Sequence, residues 1–374
     1  MSPELLAPLL VGLVAGVVSV APLVAARRRT AVDVVTTLLA VLLLVPALAT
    51  TNPVAGYVLL AVIAAARAVA AWSRTRTGAV GLAVAALATG GAALALERGA
   101  PEAAWMASLV AIALRSGVWP LHPVVAALAD RAPRLQTQQL GTTLALVWLH
   151  LRFVDHIPLA VDLAPLLVRV GAGATLVAAL ISLVGRDVRD WLRSSMVMHA
   201  GLLFCAVGAA GNGHYAAALL EAMTLALALG GMGIVVAGLE ERCGRVELAG
   251  LGGRARSLPR LCAAFAVFGA AGVGLPATAG FIADDLLLHA LWEESIVGSF
   301  AVVIGTALLA VATLGCWSKV FLGPPVKTLA ADLYPRERLA LVLLLVALLV
   351  IGLVPQLLLT PVTLVLGAGG LPPH

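Results

Sequence analysis

The sequence predicts an all-α polytopic membrane protein of about twelve transmembrane helices. Of its 374 residues, 61% are hydrophobic and only 11% are charged, and its mean hydropathy is +1.06. A soluble domain carries charge at about twice this density, which indicates that most of the chain is surrounded by lipid. Residues 295–318 and 339–370 are charge-free runs. Both are far longer than the roughly ten residues of a membrane β-strand, so they indicate helices.

Breaking the chain at charges and at clusters of glycine and proline divides it into apolar segments, taken here in chain order. Their approximate bounds are 4–25, 31–50, 54–72, 77–97, 103–129, 136–154, 162–184, 192–211, 214–238, 258–290, 296–317 and 338–359. The first segment is preceded by Glu4 and followed by the basic run Arg27–Arg29. A cleaved signal peptide has its basic residues before the apolar stretch, so this segment is predicted to remain as a membrane anchor.

The loops test this division, because basic residues collect in every second loop of a chain that alternates across a bilayer. The odd-numbered loops contain Arg27 to Arg29, Arg74 and Arg76, Arg131 and Arg134, Arg186, Arg189 and Arg193, Arg242 to Arg260, and Lys327, Arg336 and Arg338. The even-numbered loops have almost no net positive charge. The pattern predicts a bacterial inner (cytoplasmic) membrane protein with both termini on the outer, periplasmic side. It also accounts for the net charge of +5 without nucleic-acid binding.

Two segments, the fifth and the tenth, are too long for a simple span and contain breaks in their helical pattern. The residues that interrupt them are glycines and prolines: Gly117, Pro120 and Pro123 in the fifth segment, and Gly274, Pro276 and Gly280 in the tenth. Proline lacks the amide hydrogen and clashes with the preceding turn, so both helices are predicted to break near mid-membrane. Broken helices expose carbonyl groups that can hold ions or water inside a protein.

The two breaks are five spans apart in the predicted order of segments. An odd number of spans reverses the orientation of the second break relative to the first. The sequence therefore predicts two inverted five-helix repeats, each with one broken helix, which is an arrangement typical of transporters.

Four motifs, in this order, resemble those of one family of membrane subunits. They lie at residues 115–133, 187–201, 274–285 and 319–325. The family comprises the antiporter-like, proton-conducting subunits of respiratory complex I, membrane-bound hydrogenases and multisubunit sodium/proton antiporters, of which this chain resembles a short, divergent member. The resemblance implies N-terminal helices at 1–97, a two-part core at 98–211 and 212–325, and a C-terminal helix and tail at 326–374.

The resemblance also implies where protons would move. The family relies on a lysine paired with an acidic residue, on central lysine or histidine relays, and on a terminal lysine. In this chain Arg115 occupies the first lysine position, Glu221 lies among the relay positions, Asp284 replaces the terminal lysine, and the third and fourth spans contain no acidic residue in their interior. His122 is the better proton carrier at the first break, because arginine does not release a proton at ordinary pH.

Ionisable side chains inside a membrane are functional candidates by default. The candidates for the proton path are Arg115, His122, Arg169, His199, Glu221, Asp284 and Asp285. An ion pair between Arg169 and Glu221 would offset the cost of burying each charge. Arg67 and Lys319 are expected to extend to the membrane surface without a special role. The four cysteines have no pair spacing, so they are interpreted as packing residues, and no metal or cofactor site is predicted.

These features leave several functions open. The first is a proton-translocating subunit of a larger energy-coupled complex, bound to other membrane and peripheral subunits, to lipid, and to protons or small cations. A variant of it is the proton channel of a carbonic-anhydrase-like partner in inorganic carbon accumulation. The alternatives are a scaffold subunit that does not conduct and an independent secondary transporter. The chain contains no catalytic motif, so any enzymatic activity would belong to a partner.

Overall fold

The computed structural model describes residues 3–27, 29–153, 155–326 and 331–367. Across these residues the chain is helical, and its only β contact is an isolated bridge between Asp187 and Glu247. The helices are α1 (Pro3–Ala25), α2 (Ala31–Ala49), α3 (Pro53–Trp72), α4 (Arg76–Glu97), α5 (Pro101–Ser116), α6 (Pro123–Arg131), α7 (Pro133–Phe153), α8 (Pro158–Leu183), α9 (Val188–Ala210), α10 (Tyr215–Cys243), α11 (Pro259–Gly272), α12 (Ala279–Glu294), α13 (Ile296–Phe321), α14 (Pro335–Leu353) and α15 (Gln356–Gly367). The predicted all-α class is confirmed. Arg28, Lys327 and the end of the predicted C-terminal tail lie outside the described residues.

Eight of the described helices are long and apolar enough to cross a membrane: α1, α2, α3, α4, α8, α9, α10 and α13. Helices α14 and α15 together make a ninth candidate, bent by 72° between Leu353 and Gln356. The sequence predicted a single segment at 338–359, and the structure divides it. Pro355 explains the division, because it has no amide hydrogen to donate and its ring clashes with the preceding turn.

Three helices form the centre of the bundle. In the 18-residue apolar stretches of α9 and α10, 89% and 94% of the residues are buried, compared with 39% in those of α2 and α4. Helix α7 is buried along almost its whole length although it is rich in glutamine and threonine. The outer helices expose leucine and valine side chains, as expected of a surface in contact with lipid. The polar interior therefore lies around α7, α9 and α10.

Close packing brings α10 against the first half of the tenth predicted segment. A Cβ atom added to Gly231 of α10 would lie 2.2 Å from the ring of Phe268 in α11. Because no real Cβ could occupy that position, the glycine is what allows the two helices to touch. This contact fixes the end of α11 beside the central helix.

The basic residues of the odd-numbered loops meet at one end of the bundle, here called the basic end. Ion pairs join separate helices there: Arg74 with Asp33, Arg134 with Glu241, Arg189 with Glu240, Arg193 with Asp130, and Arg242 with Glu337. This grouping is what helices that alternate across a membrane would produce. The side of the membrane that the basic end faces stays a prediction.

Candidate functional site

The chain leaves helical geometry between α11 and α12, in a segment called here the second break (273–278). Two of its residues adopt left-handed backbone conformations, Gly274 with φ +76° and Ala277 with φ +74°. A Cβ atom at Gly274 would lie 2.6 Å from Oδ2 of Asp284. Glycine is therefore required here both for the backbone angle and for the space that the carboxyl group occupies.

Neighbouring helices pack tightly on the second break. A Cβ atom at Gly280, in the first turn of α12, would lie 2.3 Å from the carbonyl oxygen of Ala271. On the other side, a Cβ at Gly352 of α14 would lie 2.3 Å from the backbone of Thr278. Pro276 lies in an exposed part of the turn. The break is thus held from two sides by backbone contacts.

Two carboxyl groups meet beside the second break. Glu221, on α10, is 1% exposed, and the half-buried Asp284 of α12 is the charged group that interacts with it most strongly. Neither oxygen of Glu221 has a hydrogen-bond partner among the described residues, and the hydroxyl of Thr224, one turn further along α10, is also buried without one. The structure therefore brings two of the predicted candidates together as a pair, called here the carboxyl pair.

His199 caps the end of α11. Its Nε2 lies 2.7 Å from the carbonyl oxygen of Gly272, the last residue of α11, and its Nδ1 lies 2.8 Å from the carbonyl oxygen of Ser195. The last carbonyl groups of a helix have no partner within the helix, so the imidazole satisfies one of them. His199 and Asp284 thus border the same short turn, His199 at Gly272 and Asp284 at Gly274.

The other interruption lies between α5 and α6 and is called here the first break (117–122). Gly117 ends α5 in the left-handed conformation, with φ +79°, and a Cβ there would lie 2.4 Å from Val125. The turn then passes through the exposed Pro120, which follows a cis peptide bond, and α6 begins at Pro123. Proline suits the first position of a helix because its missing amide hydrogen would have no partner there.

His122 precedes α6 and borders an open groove of about 570 Å³. The groove has an apolar wall from α8 and a charged end that includes Arg186, Asp190 and Arg193. Nδ1 of His122 is buried without a hydrogen-bond partner among the described residues. This histidine is therefore separated from the carboxyl pair and lies close to the basic end.

Arg115 is 1% exposed, and beside it lies a second buried arginine, Arg67. The prediction that Arg67 extends to the membrane surface is wrong, because its side chain is 0% exposed and its Nη1 donates to α7, at 2.6 Å to the carbonyl oxygen of Gln138 and 2.9 Å to Oγ1 of Thr142. The sequence placed Arg67 near a helix end, but the side of α3 that faces α7 was not evident from it.

A buried polar network in the first half was not predicted. Asp155 is 2% exposed, accepts a hydrogen bond from Nε1 of Trp105 at 2.9 Å and lies 3.4 Å from Nε2 of His150. The other ring nitrogen of His150 is 3.0 Å from Oγ of Ser108, which also accepts a hydrogen bond from Tyr57. Asp155 follows a predicted span and reads as a loop residue, so the sequence carried no signal for this pairing.

Two predicted candidates lie away from the interior. Arg169 is exposed on the outer face of α8 and forms no ion pair with Glu221, so that predicted pair is wrong. Asp285 is exposed and lies 3.7 Å from His289 on its own helix. Lys319 is exposed near the end of α13. In the described residues no cluster of three or more histidine, cysteine, aspartate or glutamate side chains could hold a metal ion.

The described helices have the fold of antiporter-like chains of respiratory complex I and the Mrp complex. A chain of respiratory complex I from Thermus thermophilus with bound NADH superposes with a TM-score of 0.79 at 20% identity, over 96% of this chain and 83% of that one. A chain of the Mrp complex from Dietzia sp. superposes with a TM-score of 0.77 at 17% identity, over 97% of this chain and 83% of that one. At these identities the likeness establishes the fold alone.

The sequence establishes the family. Residues 97–310 match the family described as NADH:quinone oxidoreductase/Mrp antiporter, transmembrane, and the chain belongs to it. NADH-quinone oxidoreductase subunit M of Rickettsia prowazekii is 26% identical over 186 residues, which are 49% of this chain and 38% of that protein. NAD(P)H-quinone oxidoreductase chain 4 2 of a Synechococcus sp. is 25% identical over 206 residues, which are 52% of this chain and 39% of that protein. The matched region therefore spans about two fifths of these relatives. The resemblance inferred from the four motifs is confirmed.

Proposed function

We propose that the chain is a proton-translocating subunit of a larger energy-coupled membrane complex and that its proton path runs beside the second break. The carboxyl pair of Glu221 and Asp284 carries this proposal. Two neighbouring carboxyl groups in an interior of low dielectric constant cannot both carry a bare charge at once, so one of them can hold a proton for the other. Such a pair can take up a proton from one side of the membrane and release it to the other.

His199 is the proposed relay to the carboxyl pair. A neutral imidazole donates from only one ring nitrogen, yet both nitrogens of His199 face carbonyl oxygens, which only accept. Both hydrogen bonds form only when the ring is protonated, so these two acceptors support His199 as a group that could carry a proton in transit. The Gly272 carbonyl then links the histidine to the turn that holds Asp284.

The complete topology is part of the same proposal. Counting α5 with α6, α11 with α12 and α14 with α15 as one span each gives the twelve predicted spans, with the two breaks in inverted five-helix repeats and both termini outside. His122 would serve the first break as a proton carrier at the basic end. The named relatives are subunits of quinone oxidoreductases, and we propose that this chain likewise assembles with membrane and peripheral subunits, whether the partner supplies redox energy or is carbonic-anhydrase-like.

A non-conducting scaffold is the second candidate, and a specific observation favours it. The buried arginines of the first half have only neutral hydrogen-bond partners among the described residues. The lysine and acid pair that the family uses for proton transfer is therefore not reproduced at this position, and the first half as built would not relay protons.

Proton flux into proteoliposomes, driven by a potassium gradient and followed with an internal pH dye, separates these functions. We expect Glu221→Gln and Asp284→Asn each to lower the flux at least about tenfold, because an amide cannot carry a proton between the two sites. Asp285→Asn is the matched control, since this exposed carboxylate is the next residue along α12 and should leave the flux near the parent value. Unchanged flux in both buried variants would exclude the path, and no flux in the parent above empty liposomes would favour the scaffold.

A further inference from the structure

The two buried arginines of the first half converge on one turn of α7. Nη1 of Arg67, from α3, donates to the carbonyl oxygen of Gln138 at 2.6 Å, to Oγ1 of Thr142 at 2.9 Å and to Oε1 of Gln139 at 3.3 Å. Nη1 of Arg115, from α5, reaches the carbonyl oxygen of Thr142 at 3.4 Å. Two guanidinium groups from different helices therefore share Thr142 as a neighbour.

No negative charge balances this arginine pair. The hydrogen-bond partners of both side chains are carbonyl, hydroxyl or amide oxygens, and neither arginine forms an ion pair with a described acidic residue. The strongest charged neighbour of Arg67 is Arg115 itself. A buried charge is ordinarily paired, because an unpaired one costs several kcal/mol and a second like charge nearby adds to that cost.

The cluster formed by Arg67, Arg115 and Gln139 also contains more hydrogen-bond donors than acceptors. Four buried donor atoms have no partner among the described residues: Nε and Nη2 of Arg67, Nε of Arg115, and Nε2 of Gln139. A water molecule accepts two hydrogen bonds and carries no charge, so it cannot balance both the donors and the two positive charges. An anion accepts several donors at once, and the planar guanidinium fork suits it particularly well.

The position of the cluster restricts what the anion can be. Arg67 and Arg115 are 0% and 1% exposed, so neither a lipid headgroup nor a carboxylate of a neighbouring subunit reaches them without unfolding the bundle. A small ion can be admitted by a shift of Arg115, which is held loosely, since its hydrogen bonds to Thr89, Thr142 and Leu60 are all between 3.3 and 3.5 Å long.

We propose that Arg67, Arg115 and Gln139 form a buried binding site for one small monovalent inorganic anion, such as chloride or an oxyanion of similar size. The inference does not depend on the proton path, because Arg67, Arg115 and Gln139 lie on α3, α5 and α7, whereas the carboxyl pair lies on α10 and α12. The bound anion neutralises one of the two positive charges and joins α3, α5 and α7 through a common ligand.

The test measures the thermal unfolding midpoint of the purified full chain in detergent. Gluconate, which is too large to enter, is replaced at constant ionic strength by chloride, nitrate or bicarbonate. A ligand that binds only the folded state at a hundred times its Kd raises the ratio of folded to unfolded protein about 100-fold. We expect chloride to raise the midpoint and isotope-labelled chloride to bind at one ion per chain in equilibrium dialysis. The nitrate and bicarbonate arms decide between a spherical anion and a planar oxyanion.

Variants assign the effect to this site. Gln139→Glu places a carboxylate where Oε1 already accepts from Arg67, so it should raise the midpoint in gluconate and abolish the chloride response. Arg67→Gln should also remove the response, whereas Arg74→Gln, whose arginine already has a carboxylate partner in Asp33, should keep it. A parent midpoint that is the same in gluconate as in chloride, nitrate and bicarbonate, or a full response to the stabilising anion in Gln139→Glu, would overturn the proposal. Neither result bears on the flux lost in Glu221→Gln.

Discussion

The ion pair that joins α10 to α14 permits a quantitative stability prediction. Nη2 of Arg242 lies 2.6 Å from Oε2 of Glu337 and Nη1 lies 3.1 Å from Oε1, so the contact is bidentate, and the two side chains are 2% and 3% exposed. Arg242→Gln leaves the carboxylate buried without a cation. Breaking a buried pair in this way costs about 3–5 kcal/mol, which lowers the ratio of folded to unfolded protein by a factor of about 10² to 10⁴.

Arg245→Gln is the matched control. Its Nη2 also lies 2.6 Å from a carboxylate oxygen, that of Asp187, but the side chain is 59% exposed. Asp187 is only 5% exposed, but its other carboxylate oxygen keeps the amide hydrogen of Asp190 as a donor at 2.8 Å, and Arg245 is already largely solvated. The loss of stability should therefore be smaller than in Arg242→Gln. Unfolding of both variants would be followed by heating in the same detergent. Equal losses of stability in the two variants would refute the reasoning, since the shortest contact distances match and the arginine of the control is exposed.

Three further outcomes can be measured. Gly274→Ala should lower the free energy of unfolding by at least about 1–2 kcal/mol, because alanine is strained at this positive φ, and it should lower the proton flux by displacing Asp284. Gly250→Ala is the control: nothing lies near its Cβ and its φ is not positive, so unfolding and flux should match those of the parent. Trp105→Phe should cost about 1–3 kcal/mol in thermal unfolding, because the buried Asp155 loses its 2.9 Å donor; a neutral effect would contradict this. A cysteine added at either end of a cysteine-free chain should react with a membrane-impermeant maleimide added outside intact cells. Labelling only after permeabilisation would show that the termini lie inside and would contradict the predicted topology.

The sequence predicted the helical class and the positions of both breaks because these depend on local properties. Long apolar runs require helices in lipid, and Gly117, Pro123 and Gly274 interrupt helical geometry whatever surrounds them. The antiporter-like fold was predicted from four motifs that occur in the same order as in the family, although the identity to its members is low. The bend at Pro355 has the same local cause, a proline that interrupts the helix. It was not predicted, because the residues around it form one charge-free run in which the end of α14 has no signal.

Side-chain partners could not be predicted in the same way, because they depend on which faces of distant helices meet. Arg67 and Arg169 both lie within apolar segments, yet Arg67 points into α7 and Arg169 points outward. Glu221 and Asp284 were each predicted as candidates for the proton path, but their pairing arises only when α10 packs against α12. The rotation of each helix about its axis was therefore the missing information.

The two breaks share a backbone design and differ in charge. Near the first, Arg115 and Arg67 hold fixed positive charges without a carboxylate, and near the second, Glu221 and Asp284 place two carboxyl groups together without a described cation. A guanidinium cannot release a proton, and a fixed positive charge repels one that approaches, whereas a carboxyl pair attracts and exchanges it. Helix interruption alone therefore does not make a proton path in this fold. The charges placed beside each break decide it, and they are the basis of our two proposals, that the carboxyl pair conducts protons and that Arg67 and Arg115 bind an anion.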